Sequence, residues 1–118
     1  MKVVKKLWGF EQWLVNTELY CAKCLNLFAG FQSSLHFHPR KTETFMALEG
    51  AVAIEVRHSL KDIEISVLAP VGGAVHIPPG TSHRFWALTP FARLLEISTH
   101  HDDDDVVRVY PSRILEKA

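Results

Sequence analysis

The sequence has few cysteines, no net charge and no long apolar run. It contains two cysteines among 118 residues, and its 13 basic residues balance its 13 acidic ones. This balance argues against a nucleic-acid partner, which requires a basic face. No apolar run approaches the roughly 20 residues that span a membrane, and the start at residues 1–6 lacks the apolar core of a secretion signal. We therefore expect a cytoplasmic protein with no nucleic-acid or membrane partner.

The two cysteines, Cys21 and Cys24, form one isolated C-x2-C pair. This spacing occurs in redox pairs and in half zinc sites, but the sequence has no second pair. Residues three apart on a strand face opposite sides, so the two thiols would not meet. We predict two structural thiols in a reducing compartment.

Short runs rich in β-branched and aromatic residues recur along the chain, with turn residues between them. Such spacing is typical of an all-β sandwich or barrel, and the length predicts a single domain over residues 1–118. Only residues 113–118 have a mildly helical pattern. The predicted strands cover residues 8–15, 20–27, 34–38, 44–49, 51–57, 63–68, 74–77, 83–87 and 93–98.

Two blocks of the sequence carry residues at metal-ligand spacing. The first contains His36, His38 and Glu43, and the second contains His83. Residues two apart on a strand share a face, so His36 and His38 would converge. Three imidazoles and a carboxylate suit a divalent transition metal such as zinc, manganese, iron, nickel or cobalt. They do not suit magnesium or calcium, which prefer oxygen ligands.

The same two blocks resemble the paired motifs of the cupin superfamily, G-x5-H-x-H-x4-E-x6-G and G-x5-P-x-G-x2-H-x3-N. Ala87 stands where the second motif has its final Asn. The resemblance implies a double-stranded β-helix, a jelly-roll-like barrel with the metal in its mouth. The matching residues are Gly30, His36, His38, Glu43 and Gly50 in the first block and Gly72, Pro78, Gly80 and His83 in the second.

Both ends of the chain resemble cupins related to mannose-6-phosphate isomerase. Residues 6–11 resemble their K-P-W-G-x-E opening, although Leu7 replaces the Pro, and residues 94–99 and 104–108 resemble their ending. Residues 110–113 depart from the family's usual terminal sequence. The cupin-type D-lyxose isomerases are also similar, since they have a Lys two residues before the ligand Glu. In this sequence that residue is Lys41.

The resemblance implies an isomerase site with four candidate side chains besides the metal ligands. Isomerisation needs a metal to polarise the sugar oxygens and a base to move a proton. Lys41 would stabilise the enediolate or transfer a proton, and Glu96 would be the general base, provided that it and not Arg93 points into the pocket. Arg108 would bind a substrate phosphate and His76 would line the mouth. Ordinary roles stay open: a solvated Lys41, a packed His76, and an ion pair between Arg108 and the aspartate run.

Strand alternation predicts what surrounds the ligands. The residues that follow the inward Glu43 and His83 with a period of two are apolar, namely Phe45, Ala47, Phe85 and Ala87, so the pocket floor would be apolar. On the opposite face, an exposed Trp86 beside Trp8 and Trp13 would form an association patch. We therefore expect a homodimer, formed by exchange of N-terminal strands. Residues 100–105 would be an exposed acidic loop.

Three functions fit these observations. The first is a metal-dependent isomerase or epimerase acting on a small sugar or sugar phosphate. The second is an iron-dependent dioxygenase, which would consume oxygen whereas an isomerase would not. The third is a non-catalytic sugar-binding module, which would return its ligand unchanged.

Overall fold

The structure, a computed structural model, describes residues 1–115 and contains strands but no helix in that range. No helix in the described part of the chain has the length and apolar character needed to cross a membrane. The thirteen strands are β1 (Lys2–Lys6), β2 (Gly9–Asn16), β3 (Cys21–Phe28), β4 (Phe31–Gln32), β5 (Leu35–Phe37), β6 (Glu43–Glu49), β7 (Val52–Arg57), β8 (Ile63–Leu68), β9 (Val75–Ile77), β10 (Ser82–Ala87), β11 (Phe91–Ser98), β12 (Val107–Tyr110) and β13 (Arg113–Ile114).

Two antiparallel sheets face each other. The first has the strand order β1-β2-β3-β11-β6-β9, the second has the order β12-β5-β10-β7-β8, and β13 pairs with β4. Alternate residues of both sheets point into a common core, which is where the apolar side chains are removed from water. The core consists of Trp8, Leu25, Leu27, Phe45, Ala47, Val52, Ile54, Val56, Leu68, Ile77, Phe85, Ala87, Ala92 and Leu94.

The nine strands predicted from the sequence are all present, each with ends within two residues of the prediction. Four strands were not predicted. β1 consists of Lys-Val-Val-Lys-Lys, whose charge conceals its alternation, and β12 is exposed along its whole length. The helical expectation for residues 113–118 is wrong at Arg113 and Ile114, which pair with β4. Residues 116–118 lie outside the described part of the chain.

The turn at Gly50 joins β6 to β7. Gly50 has a φ of +69°, a conformation that costs a side chain free energy. A Cβ there would also clash with the Thr89 hydroxyl and the Phe91 carbonyl. Glycine therefore allows the two sheets to connect tightly at this point.

The three tryptophans do not form one patch, so that expectation is wrong. Trp8 is 4% exposed and packs edge-to-face on Phe85 with the ring centroids 5.2 Å apart. Trp13 is half-buried beside the interior cavity, and Trp86 is half-buried on the outer face of the second sheet. β1 pairs with β2 of the same chain, so the N-terminal hairpin is complete without exchange. The homodimer stays a prediction without support from this patch.

The two cysteines are free and buried in β3. Burial raises the pKa of the Cys21 and Cys24 thiols, which keeps them in the unreactive thiol form. The role of the two residues as structural thiols stays a prediction.

Candidate metal centre

Three strands bring the predicted ligands to one end of the barrel interior. β5 supplies His36, and His38 follows its last residue. Glu43 is the first residue of β6, and His83 lies in β10 directly opposite His36 in the strand register. Residues far apart in the sequence therefore meet because β10 lies beside β5.

The three histidines present one ring nitrogen each to a common point. Their candidate ligand atoms all lie within 4.8 Å of one another. Each Nδ1 lies close to a backbone carbonyl: Ser34 for His36 at 2.9 Å, Asp105 for His38 at 2.6 Å and Thr81 for His83 at 2.9 Å. A carbonyl only accepts hydrogen bonds, so each Nδ1 carries a proton and Nε2 is the ring nitrogen that can face a metal. In metal sites, a hydrogen bond from the ring nitrogen that does not bind the metal fixes the orientation of each histidine.

Glu43 completes the group. Its Oε2 lies 2.9 Å from His83 Nε2 and its Oε1 lies 3.5 Å from His38 Nε2. Glu43 Oε2 and His83 Nε2 are fully buried, yet neither makes a hydrogen bond. Unsatisfied buried acceptors are costly, and a cation between them would satisfy both. The donor set of three imidazoles and one carboxylate therefore fits a divalent transition metal.

The protonation states also fit a cation. Burial lowers the pKa of His36 to about 3 and also lowers the pKa of His38, so both rings are neutral at pH 7. Burial opposes the charge of Glu43, but His83 and Lys41 outweigh it and hold the pKa of the carboxyl well below its usual range. The site thus offers two neutral imidazoles, on His36 and His38, and an ionised carboxylate, which are the forms that bind metals.

Lys41 is not a solvated surface residue. Its side chain is only 2% exposed, and its Nζ lies 3.0 Å from Glu96 Oε2 and 3.1 Å from Glu43 Oε1. Burial opposes its charge, but Glu96 and Glu43 outweigh this and raise the pKa of Lys41. The turn before β6 is held by Asp105, whose carboxylate accepts hydrogen bonds from the backbone N–H groups of Arg40 and Lys41.

Glu96, and not Arg93, points into the cavity. Glu96 is 6% exposed, whereas Arg93 lies on the opposite face, where its Nε donates to Asn26. Burial, followed by the charge of Glu43, raises the pKa of Glu96. A carboxyl with a raised pKa, hydrogen-bonded to Lys41, is a suitable proton acceptor.

Sequence reasoning missed three residues of this site: Lys23, His101 and Trp13. Lys23 Nζ and Lys41 Nζ each lie 3.1 Å from His101 Nδ1, and Lys23 Nζ lies 4.1 Å from the centre of the Trp13 ring. Strand pairing places Lys2, Trp13, Lys23 and Glu96 in one row across four strands. Lys23 lies two residues before Leu25 and therefore on the same face of the strand, but this shared face identifies a site residue only once the neighbouring strand is known.

The segment 100–105 is only partly the exposed acidic loop that was expected. Asp103 and Asp104 are exposed, but Asp105 is 3% exposed because it accepts the hydrogen bonds of the turn at residues 40–41. His101 is half-buried, lines the cavity and hydrogen-bonds Asp103. Burial, followed by the charges of Lys23 and Lys41, lowers the pKa of His101 to about 4.

The two predicted substrate-binding residues have different positions. Arg108 is exposed at the cavity wall, opposite His36 in the register of β12 and β5. The ion pairs found with the aspartate run involve Arg40 and not Arg108. His76 corrects the sequence expectation, because the parity of β9 places it on the exposed outer face. There its Nδ1 lies 2.8 Å from the Thr44 hydroxyl.

Two of the candidate ligands, His36 and His38, line a cavity of about 380 Å³. As predicted, its floor is apolar: Phe45 and Phe85 line it, and the following Ala47 and Ala87 are buried. The walls carry Lys23, Lys41, Glu96, His101 and Arg108. A volume of this size and a few convergent polar groups are typical of a small-molecule site.

Solved structures with a similar fold are informative about the architecture. Oxalate decarboxylase from Bacillus subtilis matches 90% of this chain over 29% of its own, with a TM-score of 0.77 and 18% identity. The capsular polysaccharide assembling protein CapF from Staphylococcus aureus matches 98% of this chain over 34% of its own, with a TM-score of 0.78 and 18% identity. KdgF from Halomonas sp. matches 80% of this chain over 81% of its own, with a TM-score of 0.69 and 24% identity.

Sequence comparison gives a weaker relationship. An oxidoreductase from Arthrobotrys oligospora is 32% identical to this chain over 73 residues, which are 62% of this chain and 26% of that protein. The chain thus spans about a quarter of the length of this curated relative. No family model matches the chain. The structural similarity nevertheless establishes the architecture: the chain has the fold of a small cupin, a double-stranded β-helix.

Proposed function

We propose that this protein is a metal-dependent isomerase or epimerase acting on a small sugar or sugar phosphate. The observation that carries the proposal is the position of Lys41, which is buried between Glu43, a candidate ligand, and Glu96, a candidate base. An ammonium and a carboxylate beside a metal site provide the groups that proton transfer between adjacent carbons needs.

The metal would be held by His36, His38, His83 and Glu43, and when bound it would polarise a carbonyl and a hydroxyl oxygen of the sugar. Glu96 takes the proton from the carbon that bears the hydroxyl and returns it to the neighbouring carbon. Lys41 donates a hydrogen bond to the oxygen on which negative charge develops. Because the proton is returned, the reaction needs no oxidant and no other reactant.

The row Lys2, Trp13 and Lys23 supports a sugar with an anionic group. Trp13 has an ammonium over its ring from each lysine, at 4.2 Å for Lys2 and 4.1 Å for Lys23. Lys23 is 3% exposed, and its nearest carboxylate oxygen among the described residues, on Glu11, is 4.0 Å away. A substrate phosphate or carboxylate would be attracted to this wall, and Arg108 lies at the same cavity.

A second candidate is an iron-dependent oxidising enzyme. The observation that favours it is the similarity of part of the chain to an oxidoreductase, and three histidines with one carboxylate also suit ferrous iron. Oxygen uptake separates the two candidates, because isomerisation leaves the oxygen concentration unchanged.

The test begins with elemental analysis of the purified protein. Samples loaded with zinc, manganese, iron, nickel or cobalt are then screened with pentoses, hexoses and their phosphates for aldose–ketose conversion or epimerisation. Lys41→Ala should keep the metal and lose turnover, whereas Lys61→Ala, at an exposed hairpin tip, should keep both. A full isomerase rate in Lys41→Ala would contradict the assigned role. A sugar that binds and is returned unchanged would favour a non-catalytic binding module.

A further inference from the structure

A second cleft lies on the outer face of the second sheet. It has a volume of about 420 Å³ and is lined by Arg57, Arg84, Tyr110, Pro111 and Arg113. Arg84 follows His83 in β10, so strand parity points it away from the metal cavity. The two sites therefore lie on opposite sides of the same strand.

Among the described residues, the cleft contains more guanidinium groups than carboxylates. Glu55 accepts from Arg57 Nε at 2.8 Å and from Arg84 Nη2 at 3.2 Å. Arg113 donates its Nε instead to the neutral amide oxygen of Gln32, at 2.7 Å. Within residues 1–115 no carboxylate lies within ion-pair distance of Arg113. Among the described residues, Arg57 and Arg84 thus share one carboxylate and Arg113 pairs with none, so two of the three positive charges lack a carboxylate in that range.

Arg84 also has unused hydrogen-bonding capacity. It is 9% exposed, and although Glu55 Oε2 lies 3.1 Å from its Nε, this N–H makes no hydrogen bond. Arg57 and Arg113 are bonded through Nε alone, so their terminal amino groups have no acceptor among the described residues. A buried cation with unmet donors is costly unless a partner completes it.

We propose that this cleft binds the phosphate group of a small molecule. Guanidinium groups match phosphate oxygens through paired N–H donors, and a phosphate dianion balances the two excess charges. The Tyr110 side chain adds a hydroxyl at the same wall. The ligand would bind on the far side of β10 from the metal, so its binding needs neither the metal nor turnover.

The experiment is calorimetric titration of the metal-free protein at constant ionic strength. The probes are inorganic phosphate, glycerol phosphate as a phosphate ester, and succinate as a dicarboxylate. We expect saturable binding of one phosphate probe per chain, with succinate at least about tenfold weaker. Comparison of the two phosphate probes distinguishes free phosphate from an ester as the preferred source. Equal, non-saturable responses to all three probes would overturn the proposal.

Substitutions in this cleft and in the metal cavity show which of the two binds phosphate. The double variant Arg57→Gln/Arg113→Gln retains the Arg84–Glu55 pair and should weaken phosphate binding by at least about tenfold. Arg93→Gln, on the first sheet, is the matched control and should bind as the wild type does. Thermal melting confirms that each variant is folded. If Lys23→Met abolishes binding while the double variant retains it, the phosphate occupies the metal cavity and the proposal is wrong.

Discussion

The inward face of the barrel has two halves whose chemistry differs between residues only two positions apart. Glu43 precedes Phe45 on β6, His83 precedes Phe85 on β10, Leu94 precedes Glu96 on β11 and Lys23 precedes Leu25 on β3. Antiparallel pairing places Lys23 opposite Glu96 and Leu25 opposite Leu94. Phe45 also lies opposite Glu96, so the two halves meet at this residue. A single inward-facing row of side chains per strand thus serves both the core and the candidate site.

The two halves differ in what they contribute to the free energy of folding. The apolar half buries large side chains and stabilises the fold. The polar half buries Lys41, Glu43 and Glu96, whose desolvation is offset by pairing with one another and by the contacts with His83 and His101. Local departures from an apolar interior are expected where function requires them. Substitutions in each half and removal of the metal test this contrast.

Among substitutions in the polar half, Lys41→Met should cause the largest loss of unfolding free energy. It leaves Glu43 and Glu96 buried without their shared cation, at a cost of about 3–5 kcal/mol in the metal-free protein. Urea denaturation measures this change. The double variant Lys41→Met/Glu96→Gln should recover part of the loss, and no recovery would mean that the lysine contributes packing and not charge compensation.

Leu94→Ala tests the apolar half at the neighbouring inward position on β11. Leu94 is 0% exposed, so the cavity left behind should cost about 2–5 kcal/mol while the variant, once folded, still binds metal. Leu60→Ala, at a residue that is 89% exposed, is the control and should change stability by less than about 0.5 kcal/mol. Equal losses in the two variants would contradict the assignment of the core.

Removal of the metal should lower the stability of the protein through the polar half of the barrel, which contains the candidate ligands. A ligand present at about 100 times its dissociation constant stabilises the folded state by about 3 kcal/mol. Chelation should therefore lower the melting temperature of the wild type more than that of His83→Ala. A chelator that lowers both temperatures equally would show that the ion binds elsewhere.

His101 should account for part of the pH dependence, alongside His36 and His38. Its folded pKa is about 4 against an ordinary value of 6.5, so between these values the unfolded chain binds a proton that the folded chain does not. The stability contributed by neutral His101 is therefore complete above about pH 6.5 and is lost as the pH falls towards 4. Melting curves of His101→Gln should fall less over this window than those of the wild type. The control is His58→Gln, at an exposed residue; if both variants follow the wild type, His101 does not contribute.

His76→Gln should have the smallest effect. His76 is exposed and contacts Thr44 on the outer face of the first sheet. The change in unfolding free energy should be within about 0.5 kcal/mol, and metal content should not change. A loss of turnover in His76→Gln would instead support the expectation from the sequence that His76 lines the mouth of the cavity.

The sequence predicted the strands and the residues that converge, because alternation and ligand spacing are local. The motifs grouped the four candidate ligands, His36, His38, Glu43 and His83. The inward orientation of Phe45 and Phe85 then followed, because each lies two residues after a candidate ligand on the same strand. Lys23 and His101 could not be found, because their roles depend on which strand lies beside β3 and how the segment at 100–105 folds back. The tryptophan patch was wrong for the same reason, since Trp8 and Trp86 lie on opposite faces of the barrel wall.

The central claim is that three imidazoles and one carboxylate bind one divalent ion. It is tested most directly by equilibrium dialysis of the metal-free protein against cobalt, with bound metal measured by elemental analysis and geometry by visible absorption. The wild type and His76→Gln should bind about one ion per chain in the same environment, and His38→Ala and His83→Ala should bind at least about tenfold more weakly. Unchanged binding in both ligand variants, or no saturable binding in the wild type, would contradict the account.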